Sequence, residues 1–120
     1  MLYKAGINVD DRFEIGWLFS FYGPLLTKRQ QALLALYCEE DFSLSEIAAR
    51  EGISRQAAYD AVRRGAAQLE SYEKQLGLLE RHLRMTKGLE DSLEALRDAP
   101  GEKAEQARNI LESLLMQEEE

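Results

Sequence analysis

The side chains best suited to chemistry in this chain are polar or basic and stand close together in the sequence: Ser54, Arg55, Gln56, Tyr59, Arg63 and Arg64. An arginine can donate two hydrogen bonds to the edge of a guanine, and a glutamine can pair with an adenine in a similar bidentate way. Arg55 and Gln56 are therefore the best candidates for reading bases, whereas Arg63 and Arg64 are better suited to phosphate oxygens. This set of residues predicts binding to double-stranded DNA.

A helix that begins after Ser54 would present these side chains to a partner. Helical spacing places four of them on one face, namely Arg55, Gln56, Tyr59 and Arg63. The opposite face is suited to packing and is formed by Ala58, Ala61, Val62 and Gly65. Within residues 54–64, three arginines stand against one aspartate, Asp60, which leaves a local charge of +2. Asp60 would repel a phosphate backbone, and it therefore favours weak DNA binding or a partner other than DNA. A solvated helix face is the alternative interpretation, because arginine is usually exposed.

The residues before this helix predict the rest of a helix-turn-helix. Ser43 can cap a first helix, and Glu46 stands three residues later to complete a capping box. Gly52 supplies the left-handed conformation that ends this helix, Ile53 fills the corner, and Ser54 caps the second helix. In a helix-turn-helix the second helix can enter a major groove of DNA. The alternative is a helical corner with a purely structural role.

The chain as a whole is acidic, although this segment is basic. It has 120 residues, a net charge of -7 and 45% hydrophobic residues, which describes a folded protein with one modest core. Lysine and arginine supply most of the nonspecific affinity for duplex DNA, so the net charge excludes a strong general nucleic-acid binder and confines any contact to a local face. The sequence has neither a leader pattern nor a run of about 18 apolar residues, so we expect a cytoplasmic protein that does not contact a membrane.

The chain offers little for catalysis. Its only cysteine, Cys38, and its only histidine, His82, are far apart in the sequence. They form neither a nucleophile and base pair nor a cluster with metal-ligand spacing. We therefore expect a protein that is not an enzyme and that uses no metal and no cofactor.

An aromatic segment precedes the helix-turn-helix. Large residues recur at helical spacing within residues 10–22: Phe13, Trp17, Leu18, Phe21 and Tyr22. They predict an amphipathic helix whose aromatic face belongs to the core, because a small helical domain needs large residues to bury enough apolar area. A ligand pocket is the alternative use of these rings. Gly23 and Pro24 end this helix, and Thr27 with Gln30 predicts a capping box for the next one.

A long periodic segment follows the helix-turn-helix. Apolar residues alternate steps of three and four along it and predict a dimer interface: Leu69, Tyr72, Leu76, Leu79 and Leu83. Gly77 and Gly88 are the candidate breaks, and a final amphipathic helix covers residues 104–115. We expect a DNA-binding-like domain at 1–65, a helical stalk at 66–120, and a homodimer through residues 66–96. The alternative is a monomer whose uncovered groove binds another protein.

The sequence of residues 18–64, LFSFYGPLLTKRQQALLALYCEEDFSLSEIAAREGISRQAAYDAVRR, resembles the YlxM family of small bacterial proteins. The similarity covers about residues 11–97, it continues more loosely through LESYEKQL at 69–76, and GISRQAAYD at 52–60 is its most specific part. The resemblance implies an all-α fold with a winged-helix-like or sigma-factor region-4-like DNA-binding domain. Two positions depart from the usual motif: Glu51 replaces an apolar residue, and Ala58 replaces a larger branched one.

Two functional hypotheses follow from the residues and the resemblance. Genes of the YlxM family lie beside those of the signal recognition particle GTPase and its receptor, which implies a part in that pathway or in its regulation. The first hypothesis is a DNA-binding regulator that uses the residues after Ser54. The second is an adaptor that contacts a protein or ribonucleoprotein component of the signal recognition particle, through the basic face or the leucine-rich stalk.

Overall fold

The protein is all-α in the computed structural model, which describes residues 9–118. Six helices follow one another: α1 (Arg12–Tyr22), α2 (Lys28–Cys38), α3 (Leu44–Glu51), α4 (Arg55–Leu76), α5 (Leu78–Leu96) and α6 (Glu102–Glu118). A short 3-10 turn, Gly23–Leu25, separates α1 from α2. No β-strand occurs within the described range, so no wing accompanies the helix-turn-helix there. None of the helices in this range is long and apolar enough to cross a bilayer.

The predicted helix starts are confirmed by their hydrogen bonds. The Thr27 hydroxyl accepts from the Gln30 amide, and the Gln30 side chain accepts from the Thr27 amide, which completes the capping box of α2. Ser43 and Glu46 make the same reciprocal pair at the start of α3. Each box satisfies amides of a first helical turn that have no partner within the helix. These two starts are therefore fixed by local sequence.

The corner between α3 and α4 has the predicted geometry. Gly52 adopts φ 67° and ψ 36°, and its amide donates to the Ala48 carbonyl. The Ile53 amide donates to the same carbonyl, which closes the end of α3. The Ser54 hydroxyl then accepts from the Ala57 amide at 3.0 Å and caps α4. Because a β-carbon is unfavourable at positive φ, glycine is the residue that suits this turn.

The core belongs to a compact unit that ends at Leu79. The largest fully buried side chains come from α1, α2, α3 and α4: Ile15, Leu18, Tyr22, Leu34, Ile47, Val62 and Leu69. Helices α2 and α4 approach closely at Gly65, where an added β-carbon would lie 2.8 Å from Leu34 Cδ1. Ala58 is fully buried, so its small side chain is part of this core.

The aromatic face of α1 is not the core face that we predicted. Leu18 and Tyr22 are buried as expected, but Phe13 is 74% exposed and Trp17 is 36% exposed. Ile15, which the aromatic pattern did not include, is fully buried instead. The apolar arc of α1 is wider than the surface that the other helices cover, so its large rings at one edge remain outside.

The long periodic segment breaks at Gly77, one of the two candidate positions. Gly77 adopts φ 64° and ψ 25° and ends α4, whereas Gly88 lies inside α5. The buried Glu73 carboxylate accepts from the Tyr22 hydroxyl and from the Leu79 amide, and the Tyr22 oxygen accepts from the Leu78 amide. These bonds satisfy the first amides of α5, which would otherwise lack partners.

The second compact unit contains residues 80–118 of the described range. Its helices are joined by a turn in which the Arg108 guanidinium donates to the carbonyls of Leu96 and Ala99. No side chain between residues 80 and 117 is buried. The apolar residues of this unit are half-buried or exposed, and Ile110 is 62% exposed.

The structural division therefore differs from the boundary expected at residue 65. The first unit includes all of α4 and the start of α5, where it ends at Leu79, and Leu69 and Leu79 are both buried in it. These two members of the predicted dimer interface are core residues and are not available to a second chain. Of the other members, Leu76 is 55% exposed, and Tyr72 and Leu83 are half-buried.

Candidate nucleic-acid interface

Helix α4 presents most of the predicted DNA-binding residues on its exposed surface. Five of the six are exposed, namely Ser54, Arg55, Gln56, Arg63 and Arg64, and Tyr59 is half-buried. On the opposite side Ala58, Val62 and Gly65 are buried, and Ala61 is half-buried. Packing against the core thus fixes which side of α4 faces outward. The structure brings the six residues together within about three turns of one helix.

Gln56 and Asp60 interact with each other on this surface. The Gln56 side-chain nitrogen donates to Asp60 Oδ1 at 3.2 Å, one helical turn away. This bond orients the Gln56 amide and occupies one carboxylate oxygen. A base that paired with Gln56 would have to compete with Asp60 for this donor, so the negative charge affects both attraction to DNA and access to the glutamine.

A residue that the sequence did not suggest lies beside this surface. Arg29, in the first turn of α2, lines a hollow of about 260 Å³ together with Arg64 and Ala61 of α4. Thr27, Gln30 and Leu33 complete the lining. Both arginines are exposed, so the hollow has two guanidinium groups at its edge.

The hollow also contains the amino-terminal end of α2. Helix N-termini attract anions because their first amides and the helix dipole both favour negative charge. Lys28 begins this helix and is exposed next to Arg29. An oxygen-rich anion such as a phosphate would therefore meet Arg29, Arg64 and a helix N-terminus in one place. No local sequence signal links residue 29 with residue 64, so this proximity needed the structure.

The only cysteine of the chain, Cys38, lies at the end of α2 and is half-buried. Burial raises the pKa of the half-buried Cys38 thiol to about 11, so the thiol is protonated at neutral pH and is a poor nucleophile. Within residues 9–118, no group of three or more His, Cys, Asp and Glu side chains is arranged to hold a metal ion. The arrangement on α4 and α2 is suited to binding.

Two capped helices, a glycine turn and an outward basic helix together define a helix-turn-helix protein. The profile of one family, UPF0122, described as "Putative helix-turn-helix protein, YlxM / p13 like", matches residues 9–112. The chain belongs to this family, as its sequence motifs predicted.

Curated bacterial relatives share much of the chain. A UPF0122 protein of Symbiobacterium thermophilum is 50% identical over 82 residues, which cover 68% of this chain and 77% of the relative. A UPF0122 protein of Lacticaseibacillus casei is 51% identical over 72 residues, or 60% of this chain and 64% of the relative. One from Halalkalibacterium halodurans is 39% identical over 108 residues, or 88% of this chain and 95% of the relative.

Proposed function

We propose that this protein is a cytoplasmic DNA-binding regulator that inserts α4 into the major groove. The observation that carries the proposal is the two-sided character of α4. One side is buried in the core, and the other exposes Arg55, Arg63 and Arg64. The membership of a helix-turn-helix family supports the same function.

Different residues have different roles in this proposal. Arg55 and Gln56 lie in the first turn of α4, which is the part of a recognition helix that contacts base edges. Ser54 and Tyr59 flank them. Arg63 and Arg64 contact phosphates, and Arg29 extends this contact to the start of α2. The net charge of -7 makes the affinity depend on these few cations.

A homodimer would place two copies of α4 on successive half-sites. Half-sites one helical turn apart are separated by about 34–36 Å along the DNA. The partly exposed apolar residues of α5 and α6 support self-association, because no side chain of residues 80–117 is buried in the single chain. Tyr72, Leu76 and Leu83 are the predicted interface residues that remain accessible at least in part.

The homodimer is tested by sedimentation of the wild type and of the Leu76→Glu variant. Leu76 is 55% exposed, so the charge should leave the fold intact. We expect a dimer for the wild type and a folded monomer for the variant. A wild type that sediments as a monomer at high concentration would exclude this interface.

The regulatory target follows from the family resemblance. The YlxM genes lie beside those of the signal recognition particle GTPase and its receptor, and we propose that the protein takes part in this pathway or regulates it. The promoter of the protein's own operon is therefore the first DNA to test.

The experiment is fluorescence anisotropy with a labelled duplex of that promoter and a scrambled duplex of equal length, each at two salt concentrations. We expect promoter-selective binding that weakens with salt. The Arg55→Ala/Gln56→Ala variant should lose the preference for the promoter, because its contacts are to bases. The Arg63→Glu/Arg64→Glu variant should bind both duplexes more weakly, with a log-log salt dependence smaller by about 2.

A charge-matched control separates local contacts from overall charge. Lys87→Glu/Arg97→Glu changes the net charge by the same amount in the second unit, where Lys87 pairs with exposed Asp91 and Arg97 pairs with exposed Glu94 and Asp98. We expect this variant to bind the promoter nearly as well as the wild type. Equal losses in the two charge-reversal variants would contradict a specific role for α4.

The second candidate function is an adaptor for a protein or ribonucleoprotein component of the signal recognition particle. The bond between Gln56 and Asp60 and the acidic net charge favour it. Failure of the wild type to bind either duplex at low salt would support the adaptor. Co-purification of particle components that survives the Arg55→Ala/Gln56→Ala change would support it further.

A further inference from the structure

The first unit has a surface groove on the side of α1 that the DNA-binding proposal does not use. One hollow, of about 430 Å³, is lined by Arg12, Phe13, Gly16, Trp17, Ser20, Cys38 and Asp41. A second, of about 350 Å³, adds Phe19 and Pro24 on one side and Gln31 and Glu39 on the other. The two hollows share Gly16, Ser20 and Cys38, so they form one groove along α1.

One wall of this groove is aromatic and exposed. Phe13 and Trp17 stack edge to face, with ring centroids 6.3 Å apart, and they form the outer wall. Both rings remain accessible at the surface of the single chain. Because large rings gain much free energy from burial, an exposed aromatic pair beside a groove indicates a binding surface.

Gly16 lines both hollows, and the absence of a side chain at this position leaves the groove open. Gly16 lies in the middle of α1, where glycine is less favourable than alanine by about 1 kcal/mol. Apart from its chain neighbours and the backbone of its own helix, no atom lies within 4 Å of the position that its β-carbon would occupy. Packing within the unit therefore does not explain the glycine. A side chain here would project into the groove and fill it.

The lining of the groove carries more negative than positive charge. Glu39 and Asp41 contribute to the lining, and Glu40 is exposed between them. The one cation in the lining, Arg12, donates to the carbonyls of Tyr37 and Phe42 and pairs with Asp41. Arg12 thus offsets the charge of Asp41, and the remaining negative charge is that of Glu39 and Glu40.

We propose that this groove binds an amphipathic helix of another protein, with its apolar side on Phe13 and Trp17 and basic residues beside Glu39, Glu40 and Asp41. The groove follows α1 from Arg12 to Pro24, a length of about 18 Å, which accommodates about three turns of a helix. Helix-in-groove recognition uses apolar anchors at i, i+3, i+4 and i+7, which suits a narrow apolar floor. The net negative charge of the lining favours a cationic partner.

Trp17 provides a local reporter for the test, because it is the only tryptophan of the chain. The probe is a synthetic helical peptide of about fourteen residues, or four turns, with leucines at i, i+3, i+4 and i+7 and lysines elsewhere. We expect a saturable blue shift of Trp17 emission as the peptide covers the ring. A peptide with the same leucines and glutamates in place of lysines should bind at least about tenfold more weakly.

A pair of glycine variants tests the location. Gly16→Leu should weaken binding of the lysine peptide at least about tenfold, because the new side chain occupies the groove. Gly88→Leu is the matched control, since Gly88 also lies within a helix with open space at its β-carbon. Neither variant alters α4, so both should bind promoter DNA like the wild type. Peptide binding to the groove and DNA binding by α4 are thus measured separately, so the failure of one proposal is distinguishable from the failure of the other.

Three outcomes would overturn the proposal. The first is that the lysine peptide does not bind in the groove. This result would appear as equal affinity of the Gly16→Leu and Gly88→Leu variants for the peptide, or as an unchanged Trp17 spectrum. The second is a Trp17 blue shift when the protein alone is concentrated, which would assign the groove to a second copy of the chain. The third is a Trp17 shift with 1-hexanol but none with the peptide, which would assign it to a small apolar molecule.

Discussion

Residues 9–79 and residues 80–118 are both helical, but they use their apolar residues in different ways. The first unit encloses seven large side chains completely, from Ile15 in α1 to Leu69 in α4. The second unit has leucines and methionines at helical spacing, and none of its side chains up to residue 117 is buried. Burial of apolar area is the main favourable contribution to folding. Stability should therefore be concentrated in the first unit.

The comparison also separates two uses of a periodic apolar pattern. In α4 the pattern serves the protein's own core, which leaves the opposite side free to present arginines. In α5 and α6 the same kind of pattern leaves apolar surface that a partner could cover. Variants placed at matched positions in the two units can test this difference.

The largest contrast is expected from truncation of a leucine or isoleucine. Leu69→Ala removes a fully buried side chain and should lower the free energy of unfolding by about 2–5 kcal/mol. Ile110→Ala, at a position that is 62% exposed, should change it by less than about 0.5 kcal/mol. Urea unfolding followed by circular dichroism measures both. Similar losses for the two variants would mean that the second unit has a core of its own.

A second contrast comes from two helical glycines. Gly65→Ala should destabilise the protein by about 1–3 kcal/mol, because the new β-carbon would lie 2.8 Å from a buried Leu34 methyl. Gly88→Ala meets no atom within 4 Å and should stabilise α5 by up to about 1 kcal/mol. The measurement is the shift of the thermal unfolding midpoint. Opposite signs are expected, and a shared sign would contradict the difference in packing.

The junction between α4 and α5 can be tested through Tyr22. Tyr22→Phe leaves the buried Glu73 carboxylate without its phenol donor and the Leu78 amide without its acceptor, and should cost about 1–3 kcal/mol. Burial, with the adjacent Glu73 carboxylate, raises the pKa of Tyr22 to about 12 from an ordinary 10.0. The folded state thus holds this proton more tightly than the unfolded state. Its contribution to stability is complete below pH 10 and is lost as the pH rises towards 12.

The pH dependence of the free energy of unfolding provides a second test of the role of Tyr22. Urea unfolding at several pH values between 9 and 12 should show a smaller alkaline loss for Tyr22→Phe than for the wild type. An identical decline in the two proteins would show that other groups cause the alkaline loss.

The smallest effect is expected at the start of α3. Ser43→Ala should cost about 1 kcal/mol, because it removes the acceptor of the Glu46 amide. The hydrogen bonds from Ser43 lower the pKa of the Glu46 carboxyl. The stabilisation by Glu46 is therefore present above the ordinary pKa of a glutamate and is lost as the pH falls through the lowered value. The free energy of unfolding, measured by urea unfolding at several acidic pH values, should fall less in Glu46→Gln than in the wild type.

Sequence reasoning succeeded where the determinants are local. Ser43, Gly52 and Ser54 act on neighbouring backbone groups, so the caps and the corner were predicted and the structure confirms them. It was wrong about Phe13 and Trp17, because helical periodicity identifies an apolar face without showing how wide a surface the other helices cover. The exposed aromatic edge was therefore assigned to the core.

Other features depend on contacts between distant residues. Arg29 joins the candidate DNA surface only because α2 packs beside α4, and nothing near residue 29 in the sequence indicates Arg64. Glu73 looks like an ordinary charged residue of a long helix, yet it is buried against Tyr22. Leu69 and Leu79 fit a dimer seam by spacing, but the core already contains them.

The hydrogen bond between Tyr22 and Glu73 also has a consequence for synthesis on the ribosome. It joins residues 51 positions apart, so the first unit cannot close until α4 has been translated. Residues 80–120 take about 2–8 s to add at typical bacterial rates of 5–20 residues per second. Small helical domains fold in microseconds to milliseconds. Once Leu79 has left the ribosome, the helix-turn-helix can thus complete its core much faster than further residues are added.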